Sequence, residues 1–227
     1  MALDHGACPG ACAMRAADGH GATGVPADEA GGARRAGSVG AIVAAALRDL
    51  RAVDGAVYAA VATTPTPTLD TALRRLSRAA DHSKLSLGIA AGLAVFPGRP
   101  RQAACAGLGA VAVASASANL FAKRLVRRRR PDREAARVAV ARQVPMPSSA
   151  SFPSGHTASA VAFAIGAGTV LPGALLPLWS LASAVAYSRV HTGVHYPGDV
   201  TAGAALGVAS AVTAGRLRKG LRRGGPC

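Results

Sequence analysis

The chain has 227 residues, half of them hydrophobic, and carries 26 Lys and Arg against 11 Asp and Glu, a formal net charge of +15. This balance is typical of a nucleic-acid-binding protein or of a membrane protein with basic loops. Residues 143–215 contain only two formally charged residues, Arg189 and Asp199. Because an average soluble domain carries about a quarter charged residues, this stretch excludes an ordinary soluble domain and favours a membrane protein.

The N-terminal part of the chain divides into two predicted regions. Residues 1–37 are rich in glycine and alanine without apolar periodicity, so we predict a disordered head. Residues 38–82 contain amphipathic helices, predicted at 38–61 and 69–76, that lie on or near the membrane surface. We expect no metal and no cofactor, because the cysteines and histidines of the head match no zinc spacing. These residues are His5, Cys8, Cys12 and His20.

Residues 83–215 are predicted to form a membrane-embedded domain, an all-α multi-pass transmembrane bundle of about five to six helices. A spanning helix needs about 20 residues, with about 17 as the lower limit, so several candidate spans are short unless their polar ends are included. Their alanine and glycine residues allow close helix packing in lipid. The candidate spans are 85–96, 103–121, 156–171, 174–187 and 200–214. Residues 216–227 are predicted to form a basic C-terminal tail.

Chain connectivity brings three polar segments to one membrane surface. If the second span leads out to the cations at 123–131, the third span begins on that same side at 153–156. The fourth span returns there, and the fifth departs from it after residues 188–199. We therefore expect these three segments to meet.

The first segment is KRLVRRRR, with six cations in the eight positions 123–130. Lys123 and Arg130 are seven residues apart, two helical turns, so they share nearly one stripe. Pro131 ends the helix, because the residue before a proline avoids the helical region. The default interpretation of such a cluster is an anchor for anionic lipid head groups. We predict that role for four neighbours, Arg124, Arg127, Arg128 and Arg129.

The second segment, FPSGHTASA, begins a helix. Ser154 is a good N-cap and Gly155 lets the backbone approach a ligand closely. The first N–H groups of the helix then form an anion site beside His156. The alternative interpretation is a plain helix cap with an incidental histidine.

The third segment, YSRVHTGVHYPGD, contains the two isolated charges Arg189 and Asp199. Ionisable residues in an apolar stretch are functional candidates. Asp199 follows His195 by four residues, and a carboxylate bonded to one ring nitrogen leaves the other free to attack. Asp199 could instead cap the fifth span, and the two roles are compatible.

Together these residues favour metal-independent phosphoryl transfer. Acyl transfer would need a Ser or Cys nucleophile beside its base, and a divalent-metal phosphatase would need several carboxylates. In this chemistry His195 attacks phosphorus and His156 protonates the departing oxygen. The phosphoryl oxygens are neutralised by three cations and by backbone N–H groups of residues 154–156. The cations are Lys123, Arg130 and Arg189.

The complete pattern resembles the three-part signature of the type 2 phosphatidic acid phosphatase superfamily, which includes the vanadium-dependent haloperoxidases. Every signature position between 123 and 199 is filled in order, and the flanking sequence resembles bacterial membrane-embedded members. The resemblance implies a helical membrane fold, a phosphohistidine on His195 oriented by Asp199, and His156 as acid/base. It also implies phosphate binding by Lys123, Arg130, Ser154, Gly155 and Arg189.

The resemblance further implies a cell-membrane enzyme whose site faces away from the cytoplasm. Its substrate would be a membrane lipid phosphate of the phosphatidic acid, phosphatidylglycerophosphate or polyprenyl phosphate type, and polyprenyl-phosphoryl sugar phosphates are open as well. The tail at 216–223 is basic, as a cytoplasmic end should be. We expect no nucleic acid and no obligate protein partner.

Other interpretations stay open at this point. A lipid phosphotransferase could use the same site, and a haloperoxidase would bind vanadate in it. A non-catalytic basic protein binding membrane or nucleic acid is also possible, although aromatic residues for base stacking are only 4 %. Lesser site candidates are His191 and the pair His82 and Lys84, whereas Trp179 is interpreted as a packing residue or interface anchor.

Overall fold

The computed structural model describes the backbone of residues 27–223 and the side chains of residues 39–221, except those of residues 121 and 123. All regular elements in this part of the chain are helices, so the all-α prediction is confirmed. The chain divides into two units. The first unit ends at Ala46 and its described part is the beginning of helix α1; the second begins at Leu47 and contains the other elements.

Helix α1 covers Ala27–Thr63 and begins earlier than the predicted start at residue 38. Residues 27–37 of the predicted disordered head are thus helical in the structure, where frequent alanine favours helix. Residues 1–26, with His5, Cys8, Cys12 and His20, lie outside the described residues. Many apolar side chains of α1 are exposed, as a helix on a membrane surface requires, whereas Tyr58 and Ala62 near its end are buried. The exposed ones include Val39, Ile42, Val43, Leu47, Leu50, Val53 and Val57.

The remaining helices follow the predicted order with shifted ends. Helix α2 covers Pro67–Ala79 and is followed by a 3-10 turn, Asp81–Ser83. Helices α3 and α4 cover Lys84–Ala94 and Arg99–Ala116, and α4 continues through a π-helical segment, Ser117–Ala122, into the short α5, Lys123–Leu125. A mostly irregular segment, 126–154, then leads to the second half of the bundle. It contains the 3-10 turn Val140–Arg142.

The second half of the bundle consists of α6 at Gly155–Gly168, α7 at Leu175–His191 and α8 at Pro197–Arg223. Helix α8 continues through residues 216–223 of the predicted basic tail at 216–227. Leucine, lysine and arginine favour helix there, so nothing ends α8 at residue 215. Two helical stretches, Arg99–Leu120 and Pro197–Leu221, have the length and apolar composition to cross a membrane.

Helix α6 is the centre of the bundle, packing against α4, α7 and α8. Its contact with α4 and α8 is made largely of alanine, including Ala110, Ala114, Ala158, Ala162 and Ala211. Small side chains allow the backbones to approach closely, which compensates in lipid for the missing hydrophobic driving force between helices.

The closest approach lies between α8 and the beginning of α6. A Cβ atom on Gly203 would lie 2.5 Å from the carbonyl oxygen of Ser154, and one on Gly207 would lie 2.6 Å from that of Ala158. These two glycines therefore set the position of the α6 N-terminus against α8.

We expect Gly203→Ala to destabilise the protein by about 1–3 kcal/mol, the usual range for overpacking, and to lower activity because Ser154 must move. Gly215→Ala on the same helix meets open space and should be neutral or slightly stabilising. Thermal unfolding of both variants in detergent checks this. Equal unfolding temperatures would contradict the close-approach account.

Candidate active site

The three predicted segments meet at the N-terminal end of α6. The backbone N–H of Ser154 donates to the carbonyl oxygen of Asp199 at 2.9 Å. The backbone N–H of Ser151 donates to the carbonyl oxygen of Arg128, also at 2.9 Å. The first bond joins the N-terminus of α6 to α8, and the second joins the two ends of the irregular segment 126–154 to each other. Connectivity predicted this convergence correctly.

His195 is buried in the turn between α7 and α8, and its two ring nitrogens have different surroundings. Nε2 lies 3.3 Å from Nη1 of Arg130. Nδ1 lies 3.5 Å from Oγ of Ser151 and 3.6 Å from Oδ2 of Asp199. The nitrogen that faces a cation is therefore Nε2, and the nitrogen on the carboxylate side is Nδ1.

The contact between His195 and Asp199 differs from the predicted direct hydrogen bond, since 3.6 Å is too long for one. The Asp199 carboxylate is instead bonded by Ser151, whose Oγ donates to Oδ2 at 2.5 Å, and by the backbone N–H of Tyr196 at 2.9 Å. The Ser151 hydroxyl thus touches both members of the pair. Among the described residues, Asp199 still has the only acidic side chain in contact with the His195 ring.

The protonation state of His195 suits a nucleophile. Burial is the largest influence and lowers the pKa of the His195 imidazole to about 4; Asp199 opposes this shift, whereas the charges of Arg130 and Arg189 add to it. The ring is therefore neutral near pH 7, with a lone pair available for attack.

We expect the ring of His195 to titrate near pH 4 rather than near its ordinary 6.5. The folded state disfavours its protonation, so its contribution to stability is complete above 6.5 and is lost as the pH falls towards 4. Carbon-13 NMR of histidine-labelled protein in detergent, assigned with His195→Ala, measures the midpoint. A midpoint near 6.5 would contradict the buried position.

Arg130 is held firmly beside His195. Its Nη1 donates to the carbonyl oxygen of Val194 at 2.8 Å and its Nε to that of Ser149 at 2.9 Å. A guanidinium fixed by backbone oxygens has little freedom to move, so it is pre-organised to receive phosphoryl oxygens. This placement agrees with the phosphate-binding role expected of it.

Arg128 was predicted to be a lipid anchor, but its side chain is paired with two carboxylates of the protein. Its Nη1 donates to Oδ1 of Asp199 at 3.0 Å, and its Nη2 pairs with Oδ2 of Asp54 on α1 at 2.5 Å. Its guanidinium also lies 4.1 Å from the ring centre of Tyr196. The Arg128 side chain packs towards the protein interior because the buried Asp199 carboxylate needs a charged partner. Arg124, Arg127 and Arg129 are exposed, as the lipid-facing role predicted for them requires.

We expect Arg128→Met to lower both the unfolding temperature and the turnover rate, because Asp199 and Asp54 lose a shared partner. Charged hydrogen bonds of this kind contribute about 1.5–3 kcal/mol each. The neighbouring Arg129→Met should leave the unfolding temperature unchanged. Melting both variants in detergent distinguishes them; equal behaviour would return Arg128 to the lipid-anchor interpretation.

The second group of candidate site residues lies around the α6 N-terminus. Ser154 caps α6, its Oγ accepting from Oγ1 of Thr157 at 3.0 Å and from the Thr157 N–H at 3.5 Å, and Gly155 is the first helical residue. Arg189 is 1 % exposed, and its positive charge helps to lower the pKa of His195. Lys123 is the first residue of α5, and its side chain lies outside the described residues.

Sequence reasoning missed Asp81, which joins His156 to Arg189. Its Oδ1 lies 2.9 Å from Nε2 of His156 and 3.4 Å from Nη1 of Arg189. Asp54 and Ser151 were also missed. None of the three belongs to the signature, and only contacts across the fold reveal them.

His191 belongs to a separate buried cluster. Its Nε2 lies 3.0 Å from Oδ1 of Asp70, which also binds Nε of Arg142 at 2.9 Å. Burial acts to raise the pKa of Asp70, but bonds from Thr66 and His191 and the charge of Arg142 lower it below its usual value. This cluster attaches α2 to α7 and to the segment after α5, so His191 is structural.

A cavity of about 540 Å³ opens beside His156. Its wall contains serine hydroxyls at positions 83, 115, 148, 149 and 159, together with the amide of Asn119. The lesser candidate His82 lines the same cavity next to Asp81. Trp179 is 41 % exposed on α7, as an interface anchor should be.

Comparison with known proteins gives concordant matches. The family model of the PAP2 superfamily matches residues 79–223, which confirms the resemblance drawn from the signature. Decaprenylphosphoryl-5-phosphoribose phosphatase of Mycobacterium tuberculosis H37Rv is 45 % identical over 134 residues, 56 % of this chain and 70 % of that protein. The protein of the same name from Mycolicibacterium smegmatis is 37 % identical over 142 residues, 60 % and 72 % of the two chains.

Two solved structures share the fold. A transmembrane PAP2-type phosphatidylglycerolphosphate phosphatase of Bacillus subtilis superposes with a TM-score of 0.61 at 24 % identity, covering 81 % of this chain and 94 % of that one. LpxE of Aquifex aeolicus superposes with a TM-score of 0.54 at 22 % identity, covering 70 % and 93 %. Both likenesses concern the helical bundle.

Proposed function

The chain belongs to the PAP2 superfamily, and on this premise we propose that it is a lipid phosphatase that removes a terminal phosphate through a phosphohistidine intermediate. The observation that carries this proposal is the contact of Arg130 with Nε2 of His195. It places a fixed cation next to the neutral nitrogen that would attack phosphorus. In-line displacement needs this combination of nucleophile and charge neutralisation.

In the first step, Nε2 of His195 forms a bond to phosphorus as the bond to the leaving oxygen breaks. Arg130 and Arg189 neutralise the phosphoryl oxygens together with the N–H groups at the start of α6. Lys123 belongs to the same set by its place in the signature. The proton on His156 moves to the departing oxygen, which leaves as a hydroxyl group of the lipid product.

In the second step, water replaces the lipid product on the side of His156. His156 takes a proton from the water as its oxygen bonds to phosphorus, and the N–P bond to His195 breaks. Inorganic phosphate leaves and both histidines return to their first state. Asp199, with Ser151 between, holds the imidazole and stabilises its positive charge during phosphorylation.

The arrangement of donors also supports chemistry without a divalent ion. Arg130 and Arg128 present guanidinium groups to His195 and Asp199, whereas a metallophosphatase would present several carboxylates around its ion. We therefore expect full activity in the presence of a chelator.

Among lipid phosphates, we propose a polyprenyl-phosphoryl sugar phosphate as the preferred class. The relatives of highest identity named above are phosphatases of such a lipid. The cavity beside His156 supports this choice, because serine hydroxyls suit a hydroxylated group better than an acyl chain.

The test is a panel of lipid phosphates assayed in detergent with a chelator present. It contains a polyprenyl-phosphoryl pentose phosphate, polyprenyl diphosphate, phosphatidylglycerophosphate and phosphatidic acid. We expect phosphate release, fastest from the sugar lipid. Release from none would overturn the phosphatase assignment, and transfer to a second lipid without free phosphate would indicate a phosphotransferase.

We also propose that the site faces away from the cytoplasm. Asp199 lies in the first turn of α8, whereas Arg216, Arg218 and Lys219 lie near its other end, and basic ends favour the cytoplasm. With the four native cysteines replaced by serine, a cysteine in place of Lys219 should react with an impermeant maleimide only after cells are opened. Labelling of intact cells would indicate the opposite orientation, with the site facing the cytoplasm.

A further inference from the structure

The contacts of Asp81 have no role in the mechanism above. This residue begins the turn between α2 and α3, and its carboxylate is about one-third exposed, facing both His156 and Arg189. The two following residues, His82 and Ser83, have positive φ angles of 54° and 58°. Non-glycine residues rarely adopt this conformation, and such strain is frequent at functional sites.

We infer that Asp81 is a positioning residue for the acid/base histidine. Its Oδ1 holds Nε2 of His156 at 2.9 Å, which fixes the ring relative to the leaving oxygen. The inference rests on the proposed phosphohistidine mechanism and adds a second histidine–carboxylate pair to it. The first pair serves the nucleophile, and this one serves the proton donor.

The chemistry of the pair follows from its charges. A carboxylate at this distance favours the imidazolium form, which is the form that must give a proton to the leaving oxygen. Arg189 from α7 has the opposite effect on the imidazolium, and Asp81 lies between the two. His82 lines the same cavity. The proton moves from His156 to the leaving oxygen, and a water proton later returns to His156.

Asp81 also helps to hold Arg189 in position, together with Ser77. Nη1 of Arg189 donates to Oγ and to the carbonyl oxygen of Ser77 at 2.7 Å and 3.1 Å, and Asp81 contacts the same nitrogen. The segment from Ser77 to Asp81 thus places a phosphate-binding cation and the proton donor together. Disturbing the carboxylate should affect proton transfer without removing the cation.

The experiment compares leaving groups. Asp81→Asn keeps the size of the side chain and removes its charge. Among the panel lipids that are alkyl phosphate esters, we use the one that the wild type hydrolyses fastest. On it we expect a loss of at least about ten-fold but no more than His156→Ala causes, which is about 10²–10⁴-fold. Formation of the phosphoenzyme from p-nitrophenyl phosphate should be nearly unchanged, because that leaving group needs no proton.

A double variant separates positioning from a structural role. In a His156→Ala background, Asp81→Asn should cause little further loss, because residues that act as a unit are not additive. Glu134→Gln, which removes an exposed acid, is the control and should leave activity unchanged. Unfolding temperatures of all variants exclude misfolding.

Several results would overturn the inference. These are unchanged hydrolysis of the alkyl ester by Asp81→Asn, an equal loss on both substrates, or a full additional loss in the His156→Ala background. Unchanged turnover with tighter binding of inorganic phosphate would mean that Asp81 only competes with phosphate for Arg189. Failure of the proposed function looks different, since the wild type would then release no phosphate from any lipid.

Discussion

Replacing His195 with alanine is expected to abolish phosphate release from every lipid of the panel, by at least about 10⁴-fold, the scale seen when a catalytic nucleophile is removed. The physical reason is that, among the described residues, His195 provides the only imidazole nitrogen in contact with Arg130 that could attack phosphorus. The measurement is turnover of purified variant and wild type in detergent, on the same substrate.

The matched control for this variant is His191→Gln. His191 is as deeply buried as His195, but it bonds to Asp70 away from the site. Glutamine can keep a donor to Asp70, so we expect activity to remain within about the range of a surface substitution. Persistence of activity in His195→Ala, or its loss only in His191→Gln, would refute the assignment of the nucleophile.

The second large effect is expected from Asp199→Asn, with turnover falling by about 10³–10⁴-fold, as when the aspartate of a serine protease triad is changed. The variant removes the negative charge that stabilises positive charge on His195 during phosphorylation. It also turns an amide towards Ser151, Arg128 or the Tyr196 N–H, all of which donate to the native carboxylate. Single-turnover kinetics should place the loss in phosphoenzyme formation.

Ser151→Ala is the informative companion to this variant. If the Ser151 hydroxyl transmits the orientation from Asp199 to His195, its removal should cost less than Asp199→Asn but more than a surface change. An effect as small as that of a surface substitution would show that the carboxylate acts on His195 directly, closing the 3.6 Å separation when substrate is bound.

Connectivity and signature spacing predicted the parts of the site that come from α6, α7 and α8. His156, Arg189, His195 and Asp199 lie near helix ends, and helix order determines which ends meet. Arg128 shows the limit of this reasoning. It is chemically identical to Arg130 and two residues away, and only the path of segment 126–154 decides which of them contacts Asp199 and which contacts His195.

Three acids of the N-terminal region could not be assigned from sequence for the same reason. Each is paired with an arginine far along the chain: Asp54 with Arg128, Asp70 with Arg142, and Asp81 with Arg189. Local patterns predict the helices that carry these acids but contain no signal for pairs separated by some 70 to 110 residues. Asp54 and Asp70 also precede the family match at residues 79–223.

These pairs give the N-terminal helices a physical role in the enzyme. The catalytic half of the chain carries buried arginines and only one acid after Glu134, which is Asp199. A buried cation without a partner is strongly unfavourable. Asp54 and Asp70, on α1 and α2, and Asp81, in the turn before α3, supply the missing charge and couple these elements to the site.

The most direct test of the central claim is to locate the phosphoryl group on the enzyme. Wild-type protein is mixed with substrate labelled with radioactive phosphorus, denatured in alkali within one turnover, and digested to peptides. The account predicts an acid-labile, alkali-stable phosphohistidine at His195 that is absent from His195→Ala. Label on a different residue, or an active enzyme that never carries label, would contradict it.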